Sequence, residues 1–443
     1  MLSQIKGSEC MNGLTVVVIA IIIFICAYMF YGRWLVNTWG IEPDAKTPAY
    51  VHEDGKDFSP ASKFTVFAHQ FSSITGAGPV TGPIIAAMFG WVPALLWLLI
   101  GGVFFGAVQD FTALYASVKN DGKSMGKIIE QYVGHTGCQL FLIFSWLFSL
   151  LVIAAFSDIM AATFNGFGKG GALMTPNAAA GSISLLYIFV AILFGFFLHN
   201  HKVSGSTELI IGIVCIIAMI AGGIAFPLYA SRTTWLYITY AYCFIASIMP
   251  MWMLIQPRDY LSVFLLLGMI LAGVVGIIIG NPTLNMPAFV GFSVANKPLF
   301  PILFVTIACG AVSGFHSLVS SGTSSKQISN EKDMLTVGYG SMLVESTLGV
   351  VSLVIACSVA VNGALPKASP FAIFGTAISG YFVSFGIPKA ISACIVTMCV
   401  SALAMTTIDA VTRIARMSLQ ELLAPAPGQE LTGWKKFVSN QYV

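Results

Sequence analysis

Ionisable residues are scarce in this chain, and the few that fall inside long apolar runs are the ones whose chemistry needs a reason. Only 9% of the 443 residues are charged, against 57% hydrophobic. Glu345 is the deepest acid, about ten residues into its run, or roughly 15 Å along a helix that rises 1.5 Å per residue. Desolvation penalises the charged form of a carboxyl at such depth, which is the property a proton carrier needs. Asp110, about two turns from the end of another run, is the second proton-coupling candidate; a helix-end pair with Lys119 is its structural alternative. His316 could pass protons or meet a substrate, although a lone histidine also serves as a hydrogen-bonded core residue. Asp409 and Arg413, spaced i and i+4 at a helix end, read as a self-paired couple, and Arg258 and Asp259 after Pro257 have the same standing.

A second kind of chemistry comes from the backbone. The stretch "FSSITGAGPVTGP", residues 71–83, puts three glycines and two prolines inside an apolar segment, where they should break a helix. A break in lipid is tolerable only where it lines a wet cavity, and its freed amides and carbonyls can bind substrate or ions. Ser73, Thr75, Gly76, Gly78 and Pro79 are therefore candidate substrate-binding residues. Close helix packing through Gly78 and Gly82 is the alternative. "IASIMPMWMLIQPRDY" carries Pro250 and Pro257 in another run and adds Pro250 and Gln256 to the set, with His316. In "CGAVSGFHSLVSSGTSSKQ", Ser320, Ser321 and Thr323 offer hard hydroxyl ligands suited to sodium, or else hydrogen-bond their own helix four residues back.

Such residues need elements to position them. With a mean hydropathy of +0.87 the chain cannot clothe itself as a soluble domain, and apolar runs of about 20 residues mean an all-α polytopic membrane protein. Eleven spans are expected, near 14–35, 64–88, 91–117, 138–164, 182–200, 206–230, 235–255, 259–280, 300–322, 335–362 and 388–412. The apolar piece from Phe371 to Phe385 is short and reads as re-entrant or interfacial. Alternating sides then receive fifteen and six of the lysines and arginines, which places the N-terminus outside and the C-terminus in the cytoplasm. A twelfth span at Phe371–Phe385 would nearly level that count.

Setting aside the first span, ten helices divide into two fives, and two consecutive groups of five have opposite orientation. This is the inverted-repeat arithmetic of many secondary transporters. The expected organisation is an extra N-terminal helix and cytoplasmic loop (1–63), a first repeat (64–230), a second repeat (235–412) and a cytoplasmic tail (413–443). Each repeat is expected to open with a broken helix, at Gly76–Pro79 in one and at Pro250 and Pro257 in the other.

Other classes find little support. Leu14 to Leu35 is too long for a cleaved signal peptide and lacks a small-residue cleavage site, so a retained helix is expected. The nine cysteines show no C-x-x-C and read as small apolar packers; no metal site is expected. No basic patch suggests nucleic acid. An intramembrane enzyme would need a motif such as H-E-x-x-H or G-x-S-x-G, and neither occurs. His69, His199, His201 and His316 are a poor set for haem ligation, so no cofactor is expected beyond a coupling ion, H⁺ or Na⁺. The partners expected are a small-molecule substrate and the lipid bilayer. A membrane nutrient sensor without net transport is the alternative function, and oligomeric state is not readable.

The stretches "FSSITGAGPVTGPIIAAMFGWVPALLWLLIGGVFFGAVQDF", "MLIQPRDYLS", "PLFPILFVTIACGAVSGFHSLVSSGT" and "TTIDAVTRIAR" closely resemble the carbon-starvation (CstA-type) family of bacterial membrane transporters, from Phe64 to about Arg416. The resemblance implies ion-driven uptake of peptides or pyruvate across the bacterial inner membrane. It also implies a relationship to the amino acid/polyamine/organocation transporters, built from two inverted five-helix repeats. Familiar members continue with further hydrophobic helices past the D-x-x-T-R segment, whereas this chain ends thirty residues after Arg413 in a polar tail. The ten-helix core is expected whether this is a short member or a truncated or split product.

Overall fold

The computed structural model describes residues 11–423 apart from residue 202, so most of the expected tail lies outside the described residues. Among the described residues eight helices are long and apolar enough to cross a membrane: Gly13–Trp39, Trp91–Lys119, His135–Phe164, Thr175–Asn200, Gly205–Ala225, Met251–Gly280, Glu331–Val359 and Lys389–Leu423. The chain is thus a multi-pass, all-α membrane protein. The other three expected spans are helical but short or interrupted. Arg232–Ile248 has 17 residues, and the remaining two are split. Pro370–Ser384 is a shorter apolar helix beside Met251–Gly280, where a Cβ at Gly273 or Gly276 would meet Ile378 or Tyr381.

The first interruption falls where glycine and proline announced it. Lys63–Ile74 stops at Thr75, whose backbone leaves the helical region, and the helix restarts at Gly78–Ala86 with Pro79 in its first turn, where a missing N–H costs nothing. The second does not fall at Pro250. Pro250 is extended and lies in the two-residue turn between Arg232–Ile248 and Met251–Gly280, and Pro257 is absorbed early in the latter helix, just after a π-helical turn at Met251–Ile255. The break lies instead at Val312 and Ser313, both extended, between Ala308–Ala311 and Gly314–Gly322. The two interruptions therefore occupy the first and eighth positions of the ten-helix count, and the expected matching of breaks between the first helices of the two halves does not hold.

The two split helices pack side by side and antiparallel. A Cβ at Gly82 would meet the Thr306 carbonyl and one at Gly78 would meet Cys309, while Gln70 bonds Ser320 and His69 bonds Thr323. Gly78 and Gly82 are thus close-packing positions, the alternative role the sequence allowed them.

Alternate loops gather at opposite ends. One end joins Lys56 O to Met251 N, Ser59 N to Lys326 O and Lys119 to Glu331, and is rich in lysine and arginine. The other joins Gly13 N to Pro282 O and Trp91 N to Pro287 O. Between them the main core threads Ile84, Leu98, Phe111, Tyr339 and Val351.

Candidate functional site

Three of the spanning helices carry a π-turn just before a buried acid, Met251–Ile255 before Asp259 being one of them. Gly101–Gly106 precedes Asp110, and Leu335–Gly340 precedes Glu345. A π-turn inserts one residue into the helical repeat and so rotates everything after it, a device common at functional sites. The helices of Asp110 and Glu345 are pressed together at Gly338, where a Cβ would lie 2.8 Å from Phe111 Cα. Asp110 and Glu345 are thereby brought to opposite sides of His316, which stands in the first turn of Gly314–Gly322.

His316 Nδ1 lies 3.1 Å from Asp110 Oδ2, and its Nε2 lies 3.4 Å from Glu345 Oε2. All three side chains are fully buried. Cys309 Sγ, from the other side of the break, is 3.8 Å from Glu345 Oε1. The alternative considered for Asp110, a pair with Lys119, is not found, because Lys119 faces Glu331 and Glu42. Three residues singled out separately by sequence are thus one cluster. Its polar atoms are not all met: Asp110 Oδ1, His316 Nε2 and Glu345 Oε2 have no hydrogen-bond partner among the described residues. Buried polar groups are normally satisfied, so three orphans in one cluster are a signal.

The other candidates divide. Ser73 and Thr75 are buried at the first interruption. The carbonyls of Ser72 and Ser73 accept from Thr406 at 2.6 Å and Thr407 at 3.3 Å, so Lys389–Leu423 takes up backbone groups near the break. Gly76 is sealed by Phe156 and Thr407, and Pro79 packs on Gly310. Pro250 and Gln256 are not brought there. Gln256 lies at the basic end, where it donates to Gln327 Oε1 at 2.9 Å and helps line a cleft of about 410 Å³ with Glu53, Ser62, His199 and Trp252.

The hydroxyls considered for sodium are largely engaged: Ser321 donates to Ser317 O, Thr323 to Val319 O, and Ser320 accepts from Gln70. The ion pairs also differ from expectation. Asp409 pairs with Arg258 rather than Arg413, and Arg413 reaches Asp57 at 2.5 Å. Asp259 leaves Arg258 for His69, at 2.6 Å. In each case a partner on another segment, a helix or the loop that carries Asp57, outcompeted the neighbour on the same helix, because a buried charge needs close, directed contacts.

Sequence reasoning missed Cys309, read as a packer, and the His69–Asp259 pair. No spacing signal could have joined Cys309 to His316, because the extended Val312 and Ser313 separate them.

A family profile described as "Carbon starvation protein CstA" matches residues 12–365 and 358–443. The chain belongs to the carbon-starvation CstA family. It is 37% identical over 390 residues to the peptide transporter CstA of Escherichia coli K12, covering 84% of this chain and 54% of that protein. It is 35% identical over 389 residues to the peptide transporter CstA of Bacillus subtilis 168, covering 83% and 60%. It is 34% identical over 367 residues to the pyruvate/proton symporter BtsT of Escherichia coli K12, covering 80% and 50%. The chain thus spans about half the length of the curated CstA-family relatives it matches. Their names are those of transporters rather than enzymes. No solved structure matches the chain.

Proposed function

We propose that this CstA-family chain forms an ion-coupled secondary transporter that imports a small carboxylate nutrient, a peptide or pyruvate, across the bacterial inner membrane. The basic end is taken as cytoplasmic, so the N-terminus is outside and the C-terminus inside. Residues 64–230 and 235–412 serve as its two inverted halves. The names of the relatives support transport of this kind. The observation that carries the mechanism is the buried cluster of Asp110, His316 and Glu345 beside the two helix interruptions.

In this mechanism Glu345 loads and releases the coupling proton. His316 Nε2 faces it and Asp110 holds the opposite ring nitrogen, so the imidazole can pass a proton without turning. The substrate carboxylate is drawn to the positive ends of the half-helices that start at Gly78 and Gly314, each nine residues long. Proton coupling is preferred to sodium because the buried groups of the cluster with unmet polar atoms, Asp110, His316 and Glu345, are all groups that exchange protons.

The test is Glu345→Gln in proteoliposomes. One pH unit of gradient is worth about 1.4 kcal/mol, roughly tenfold accumulation per proton carried. The variant should lose that accumulation while still exchanging substrate between loaded compartments. Undiminished accumulation by Glu345→Gln would overturn proton coupling through this residue. If neither a peptide nor pyruvate enters vesicles carrying the unmodified chain, the sensor reading replaces transport.

A further inference from the structure

We infer that Cys309, His316 and Glu345 form a binding site for a borderline divalent transition-metal ion of the zinc type. No spacing motif announces it, since Glu345 lies on a different helix from the other two, and the sequence led to the expectation of no metal.

Three features carry the inference. The first is distance. Zinc bonds of about 2.3 Å to sulfur and 2.0–2.1 Å to nitrogen and oxygen, set at tetrahedral angles, require ligand atoms roughly 3.3–3.6 Å apart. Here Nε2 and Oε2 are 3.4 Å apart, Sγ and Oε1 are 3.8 Å apart, and one ligand atom from each residue lies within 4.8 Å of the others. An adjustment of at most about 1.2 Å, the difference between 4.8 Å and the 3.6 Å limit, would close them on an ion.

The second feature is unmet bonding capacity. His316 Nε2 and Glu345 Oε2 are buried, face each other and lack a hydrogen-bond partner among the described residues. Both can offer a lone pair to one cation between them. The third is the outer contact: Asp110 Oδ2 at 3.1 Å from His316 Nδ1 fixes the ring so that Nε2 points at the other ligands. A carboxylate behind a ligating histidine is the usual support of such sites.

The ligand set also selects the ion. A thiolate with imidazole and one carboxylate suits zinc, cobalt or cadmium and is poor for sodium, magnesium or calcium, which favour oxygen alone. Three protein ligands leave a fourth position free, as in zinc sites that exchange a ligand. The cysteine is well held, because Gly78 lets the first split helix press against it. His316 and Glu345 are also the residues of the proposed proton path, so an ion bound here and a proton loaded on Glu345 exclude one another; the test reads metal binding and does not measure transport.

The experiment uses the full chain, purified in detergent, stripped with a chelator and titrated with Co²⁺. One equivalent should bind with a thiolate-to-cobalt charge-transfer band in the near ultraviolet. Cys309→Ser should abolish that band, His316→Gln and Glu345→Gln should weaken binding at least about tenfold, and Cys243→Ser should leave it intact. A titration with no charge-transfer band, or a band that survives Cys309→Ser, overturns the site. X-ray absorption on the unmodified chain decides the matter even where a variant fails to fold. One sulfur with nitrogen or oxygen neighbours supports the site, and a shell without sulfur overturns it.

Discussion

Two histidine–carboxylate pairs are buried in this protein, and they are built to opposite ends. His69 is closed: Nδ1 lies 2.6 Å from Asp259, Nε2 lies 2.8 Å from Thr323 Oγ1, and only Asp259 Oδ1 lacks a partner among the described residues. Its neighbours continue the pattern, with Gln70 donating to Ser320 and accepting from Ser324 at 2.6 Å. His316 is open: one nitrogen is held by Asp110, and the other faces a carboxylate oxygen that is itself unmet. Both pairs join the split helices to their neighbours at similar burial. The difference lies in satisfaction, and it separates a fastening from a place where something else must bind or move.

Exchanging each histidine for glutamine is the sharpest way to break that comparison. His316→Gln should cut proton-driven uptake by about 10²-fold or more, the general acid–base range, with little change in melting temperature. His69→Gln should do the reverse. It leaves the buried Asp259 carboxylate without its hydrogen-bond partner, a defect of about 1–3 kcal/mol, and should lower the melting temperature while folded protein retains uptake. Uptake in vesicles and melting in detergent check both variants. If His69→Gln proved the transport mutant and His316→Gln the unstable one, the assignment of open and closed clusters would be inverted.

These clusters were only partly legible in the sequence. Glu345, Asp110 and His316 stood out because ionisable groups in apolar runs are expensive, and that argument needs no structure. Their meeting was invisible: Asp110 and His316 are 206 residues apart, and two π-turns, which leave no residue signature, set the rotation of the helices that carry the acids. The first interruption was legible because Gly76, Gly78 and Pro79 disfavour helix. The second was not. Val312 and Ser313 are unremarkable residues held extended by tertiary contacts, whereas Pro250 has the same local effect in a turn between helices as in a break within one.

The wall of the open cluster offers a smaller test. A Cβ at Gly78 would fall 2.1 Å from Cys309 Cβ, a contact that can be relieved only by moving backbone. Gly78→Ala should therefore destabilise the protein by about 1–3 kcal/mol, the usual cost of overpacking. Adding Cys309→Gly removes the opposing Cβ and should restore most of that loss, so the two changes will be far from additive. Thermal melting of the single and double variants is the measurement. A neutral Gly78→Ala would mean the split helices are not in the contact that places Cys309 beside Glu345, and the open cluster would lose one of its members.

The smallest effect is expected at a third charged cluster, which tests whether closure alone predicts a fastening role. Asp57, in the loop at the basic end, receives Arg413 at 2.5 Å and Arg416 at 3.2 Å. Burial alone would raise the Asp57 carboxyl, but the charges of Arg413, Arg416 and Lys326 outweigh it and hold it below the ordinary value of 3.8. A group with a depressed folded-state value binds its proton more readily when unfolded. It therefore contributes stability that is present above the unfolded value and lost as pH falls through the folded one. The melting temperature should thus drop as the pH is lowered from near 4 and below, and Asp57→Asn should flatten that part of the profile. At neutral pH the same substitution should cost on the order of 1 kcal/mol, since Asp57 keeps 30% of its surface in solvent and water screens the pair. Its effect on uptake should be slight if Asp57 only fastens the loop to the end of Lys389–Leu423. Loss of uptake with an unchanged melting temperature would show that a satisfied cluster can also be a moving part, and satisfaction would no longer be enough to tell the two histidines apart.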